Sequence, residues 1–160
     1  MQQDRQARDE IFDFLYKLWW YLDDGPSVKP YAEETQKFLT TFKIPGTRKY
    51  TVESPASEYP GTIRTTFTHP QDITTQQFVA DLYKIYFQTP LTIQDLTQII
   101  RENPDTFYEA AEEYRRPYAD LWEQIEMGEP VYRHQLFPGR IALYVIEEND
   151  QGIIKVDLEY

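Results

Sequence analysis

The 160-residue chain contains no cysteine. That excludes disulfides, thiolate nucleophiles, iron–sulfur clusters and cysteine-rich zinc sites. Histidine is almost as scarce, with only His69 and His134. The glycines Gly25, Gly46, Gly61, Gly128, Gly139 and Gly152 stand singly at breaks, so they build neither a P-loop nor a dinucleotide fingerprint. Ser27, Ser54 and Ser57 are the only serines, all in expected loops, and none lies in a Gly-x-Ser-x-Gly elbow. Long apolar runs are also missing. The longest, around Leu18 to Leu22, is too short for a bilayer and is bounded by Lys17 and Asp23-Asp24. The first ten residues lack the basic start and apolar stretch of a signal peptide, so a cytoplasmic location is expected.

Positive charge is the other shortage. Lysine and arginine number 16 against 27 aspartates and glutamates, giving a net charge of -11. Nucleic-acid affinity comes mainly from cations neutralising phosphates, so direct DNA or RNA binding is disfavoured, as are anionic membranes. The aromatic content is high at 16%. Such a chain has enough apolar surface to fold, and its length fits a single domain spanning residues 1–160.

Periodicity predicts a helix from Asp4 to Asp24, with Ile11, Leu15, Leu18 and Leu22 on one stripe. A second helix is expected from near Pro30 to Ile44, stopped by Pro45-Gly46. Arg48 to Glu53 and Thr62 to Thr68 alternate as strands around a wide loop, Ser54 to Gly61. Helices follow from Asp72 or Thr74 to Gln88, from Thr92 through Ile100, and from Asn103-Pro104 to about Met127. Thr92 with Asp95 resembles a capping box, and Pro117 is expected to kink the last of these helices. A final hairpin pairs Ile141–Ile146 with the run from Ile153. Ile141–Ile146 is apolar throughout and reads as a central strand. The last strand, with Lys155, Asp157 and Glu159 on one face, reads as a half-exposed edge. The expected fold class is α+β: about five helices and two hairpins in one mostly antiparallel four-stranded sheet, in the order ααββαααββ.

Two chemistries remain for the helix expected over residues 103 to 127. Glu109 with Glu112, and Glu123 with Glu126, are spaced three apart and share a helix face, which suits an oxygen-liking cation. The pattern resembles the metal-binding carboxylate pairs of all-helical nucleotide pyrophosphohydrolases, which would imply a small metal-dependent hydrolase. It departs from that family because both pairs lie on one helix, about four turns apart. A solvated face, with Glu112 pairing Arg116, accounts for the same residues. Residues 72 to 160 also resemble a winged-helix arrangement, two helices and a turn followed by a hairpin. Asp105, Glu109, Glu112 and Glu113 on its would-be recognition helix would repel phosphates.

The reading preferred from sequence is a non-enzymatic interaction or regulatory protein. Glu109, Glu112, Glu113, Asp120, Glu123 and Glu126 form its partner-binding face, and the partner is a protein with a basic surface. No catalytic residue, metal ligand or cofactor is assigned.

Overall fold

The structure is a computed structural model and describes residues 2–54, 63–102, 115–137 and 139–159. Five α-helices fall within these segments: α1 Gln2–Lys17, α2 Glu33–Thr41, α3 Thr75–Tyr83, α4 Ile93–Glu102 and α5 Arg115–Glu126. Four strands accompany them: β1 Lys49–Ser54, β2 Ile63–Thr68, β3 Ala142–Glu148 and β4 Ile154–Glu159. The wide loop expected at Ser54 to Gly61 and the helix start at Asn103-Pro104 lie, apart from Ser54, outside the described residues. Pro117 lies within α5, next to the residues that are not described.

The α+β class holds, but the sheet is mixed. Its order is β2-β1-β4-β3, and β1 pairs with β4 in parallel, Val52 opposite Ile154 and Glu53 opposite Lys155. The two hairpins are antiparallel as expected. Their positions reverse the expectation for the last two strands: β4 is interior and β3 is the edge. A short fifth segment covers the start of that edge, where Tyr21 bridges Ala142. There the Leu22 N–H donates to the Ile141 carbonyl (2.8 Å) and the Leu143 N–H to the Trp20 carbonyl (3.0 Å).

This edge segment explains why α1 ends at Lys17 and not at Asp24. Trp19 adopts a left-handed φ of 52°, which stops the helix. The chain then runs extended, buries Trp20 and Leu22 completely or nearly so, and pins the indole N–H of Trp20 to the Gly25 carbonyl at 3.0 Å. The apolar run of Leu18–Leu22 is thus one helical turn followed by an edge strand.

Register explains the polar side of β4. Across the solvent-facing side, Arg64 on β2 neighbours Glu53, Glu53 neighbours Lys155, and Lys155 neighbours Glu147 on β3. Opposite charges alternate across all four strands, and such cross-strand pairs are stabilising. Charges on β4 therefore mark a polar face and not an exposed edge.

The other face carries Tyr50, Val52, Ile154, Val156, Leu143 and Ile146. They join Phe12, Leu15, Leu39, Phe78 and Leu82 from α1, α2 and α3 in the main apolar cluster. A smaller cluster of Leu91, Leu96, Ile99, Leu121, Val131 and Leu136 unites α4 and α5. Glu148 also points to the inner face. Its carboxylate is answered by Arg8, whose Nη2 lies 2.9 and 3.0 Å from the two oxygens.

Leu143 is fully buried while its neighbour Tyr144, at a β-bulge, is 45% exposed. Replacing Leu143 with alanine should cost about 2–5 kcal/mol in urea unfolding. Tyr144→Ser should stay within about 1 kcal/mol, the scale set by losing an edge-to-face contact such as the one with Tyr16.

Candidate functional site

Of the six carboxylates expected to bind a partner, Asp120, Glu123 and Glu126 are described, and all three are exposed on α5. Glu109, Glu112 and Glu113 lie outside the described residues. The opposite side of α5 is anchored: Leu121 is buried in the smaller cluster, with Trp122 and Ile125 packed against it. Glu126 accepts the indole N–H of Trp122 at 2.9 Å, which fixes one carboxylate of the outward row. Among the described residues, no group of three or more histidines and carboxylates is arranged to hold a metal ion. The final hairpin, which would be the wing of a winged helix, is the β3–β4 half of the sheet and is bonded to β1.

Sequence reasoning missed a buried polar cluster at the other end of the fold. Thr47 begins it: its hydroxyl donates to the Ile44 carbonyl (2.6 Å) and accepts from the Ile73 N–H (3.0 Å), which fixes the entry to α3. Thr74 then caps α3, accepting from the Gln77 N–H while Gln77 Oε1 accepts from the Thr74 N–H. Two turns in, Asp81 is 3% exposed and meets two donors on one oxygen. The Tyr50 hydroxyl donates to its Oδ2 at 2.5 Å, and His69 Nε2 lies 2.7 Å from the same atom.

A carboxylate-oriented imidazole is the arrangement used in general-base catalysis. Here Nδ1 has no hydrogen-bond partner among the described residues. What the cluster does achieve is structural. It joins β1, the exit of β2 and α3 through one buried carboxyl group. The sequence signal for it was weak: His69 follows a strand and Asp81 sits at an inward position of an amphipathic helix.

Near the other histidine, a π-helical segment, Lys84–Gln88, continues α3. It turns Phe87 between Tyr83 and His134, with ring centroids 4.7 and 4.3 Å away and planes within 9° and 8°. His134 Nδ1 lies 3.1 Å from the Tyr86 carbonyl, so the imidazole is both stacked and bonded. His134 is therefore a loop anchor. On the remaining flank, α1 and α2 leave a groove lined by Ala7, Glu10, Ile11, Phe14, Phe38 and Phe42. No helix among the described residues is long and apolar enough to cross a membrane. No protein-family model, curated protein or solved structure matches the chain.

The buried tyrosines carry a pH dependence. Burial, then the hydrogen bond to Asp81 and its charge, hold the Tyr50 hydroxyl far above its ordinary value. Burial pushes Tyr86 up to about 12, against opposing effects of Ser54 and Arg133. A raised folded-state value means the stabilisation is complete below the unfolded value near 10 and is lost as pH rises through the folded one. Urea unfolding from pH 8 to 11.5 should show stability flat at first, then falling by up to about 1.4 kcal/mol per pH unit for each such tyrosine. Tyr50→Phe should start less stable and fall less steeply.

Proposed function

We propose that this chain is a non-enzymatic interaction protein that binds a protein partner with a basic surface. The observation that supports it is the exposed carboxylate row Asp120, Glu123 and Glu126 on a helix whose inner side is anchored by Leu121. A concentrated negative field on a rigid element accelerates encounter with a cationic partner and makes the association salt-sensitive. The net charge of -11 extends the same field over the whole molecule. Glu109, Glu112 and Glu113, close to this row in sequence, belong to the same proposed face.

The test is charge reversal. Changing Asp120, Glu123 and Glu126 together to lysine should leave thermal unfolding nearly unchanged, because exposed substitutions usually cost within about 0.5 kcal/mol each. Affinity for partners recovered by cross-linking in the native cell should fall by about tenfold or more, and the wild-type complex should weaken with added salt. Equal reversal at Glu33, Asp150 and Glu159, on other elements, is the control. Equal affinity of both variants and wild type at low and high salt would sink the reading.

A further inference from the structure

The groove between α1 and α2 is an apolar opening in the described surface. Its volume is about 390 Å³, and its walls are Ala7, Ile11, Phe14, Phe38 and Phe42, with Glu10 the one charged lining residue among those described. Phe14 meets Phe38 edge to face at 5.2 Å, and Phe38 stacks on Phe42 at 5.1 Å. Phe42 is 49% exposed despite its size. Arg8 of α1 is bonded both to the chain that follows α2 and to β3. Its Nη1 donates to the Pro45 carbonyl at 3.1 Å while its other nitrogen is held by Glu148. Gly46, with φ at +74°, makes room for that guanidinium, which a Cβ there would strike.

Exposed apolar surface rimmed by charge marks a docking site. A small polar ligand fits poorly, since such pockets orient their occupants with several placed polar groups and this one has a single carboxylate. A groove between two side-by-side helices instead suits the apolar stripe of a third helix. The charge on its banks is unequal. Glu10 lines the α1 bank, flanked by exposed Asp9 and Asp13, and Lys17 is already paired with Asp13 at 3.0 Å. Lys37 and Lys43 are exposed beside Phe38 and Phe42 but do not line the groove. We propose that the α1–α2 groove binds an amphipathic helix of a partner protein, apolar side chains among the phenylalanines and a lysine or arginine flank over Glu10. The cationic flank rests on the reading of the chain as a binder of basic partners; the apolar anchoring does not.

Three fluorescein-labelled helical peptides test this by anisotropy. One carries leucines at i, i+4 and i+7 with a lysine flank, the second has glutamates in that flank, and the third scrambles the first. The first should bind, and the other two should bind about tenfold more weakly or worse. Phe42→Ser, and separately Ala7→Trp to fill the groove, should each weaken the first peptide by about fivefold or more while thermal unfolding stays within a few degrees of wild type. Glu10→Lys should narrow the gap between the first and second peptides. If the first and scrambled peptides bind alike, and the groove variants change nothing, the groove proposal fails while the acidic-face reading stands. If no lysine peptide binds, the groove proposal fails, and the acidic-face reading is decided by its own charge-reversal test. Equal binding of the glutamate peptide overturns the partner's charge. Concentration-dependent dimerisation abolished by Ala7→Trp would assign the groove to a second copy and overturn the proposal.

Discussion

Strand β4 arrives from the far end of the chain and lies between β1 and β3, hydrogen-bonded to both. Without it the two hairpins share no edge, since β1 has only β2 on its other side. Inserting a charged strand there requires that its outward residues meet opposite charge and its inward residues meet apolar surface. The register does both. Lys155 stands between Glu53 and Glu147 on the outer face, and Ile154 and Val156 are nearly inaccessible on the inner one. The same register carries Glu148 to the inner face, beside Ile154. A buried carboxylate without a partner would be strongly destabilising. Arg8 removes the problem with a two-pronged contact, and its side chain is only 12% exposed. So α1, seated on the sheet by Ile11, Phe12 and Leu15, also neutralises a residue of the last hairpin.

That placement sets the flank formed by α1 and α2. Arg8 reaches onward to the Pro45 carbonyl, beyond the end of α2, and Arg5 adds a bond to the Glu148 carbonyl at 2.9 Å. Leu39 is buried by this arrangement, but Phe38 and Phe42 turn toward α1 and are only partly covered.

Local rules made much of the fold legible. Thr92 and Asp95 form their reciprocal cap, with Thr92 N–H to Asp95 Oδ2 at 3.0 Å and Asp95 N–H to Thr92 Oγ1 at 3.1 Å. The alternation of Tyr50 and Val52 against Phe67, Thr65 and Ile63 gave the first hairpin its faces, and the pairing places them opposite one another. What was not legible depended on distant partners. The helix reading past Lys17 failed because Trp20 and Leu22 are bonded to Leu143 and Ile141, which no local pattern announces. The order of the last two strands was misread for a similar reason. Charge on alternate residues is ambiguous between an edge and a polar face until the neighbouring strands are known. For the candidate site, the exposure of Asp120, Glu123 and Glu126 followed from helical periodicity. The α1–α2 groove did not, because its walls come from two helices that no local pattern places side by side.

The two surfaces proposed for binding differ in what each can contribute. Exposed carboxylates on α5 act over roughly 8–10 Å at physiological salt, so they govern how fast a cationic partner arrives and which partners are repelled. They hold it weakly, because an exposed ion pair is worth at most about 1 kcal/mol. Phe38 and Phe42 act only on contact, but burying such rings removes apolar area from water and slows dissociation. An acidic surface without an apolar anchor would bind basic proteins fast and indiscriminately. An apolar groove without the field would bind slowly and select by shape alone. Their presence on one chain is what a selective, quickly formed complex requires, and it predicts that groove substitutions change the off-rate while changes on α5 alter the on-rate and its salt dependence.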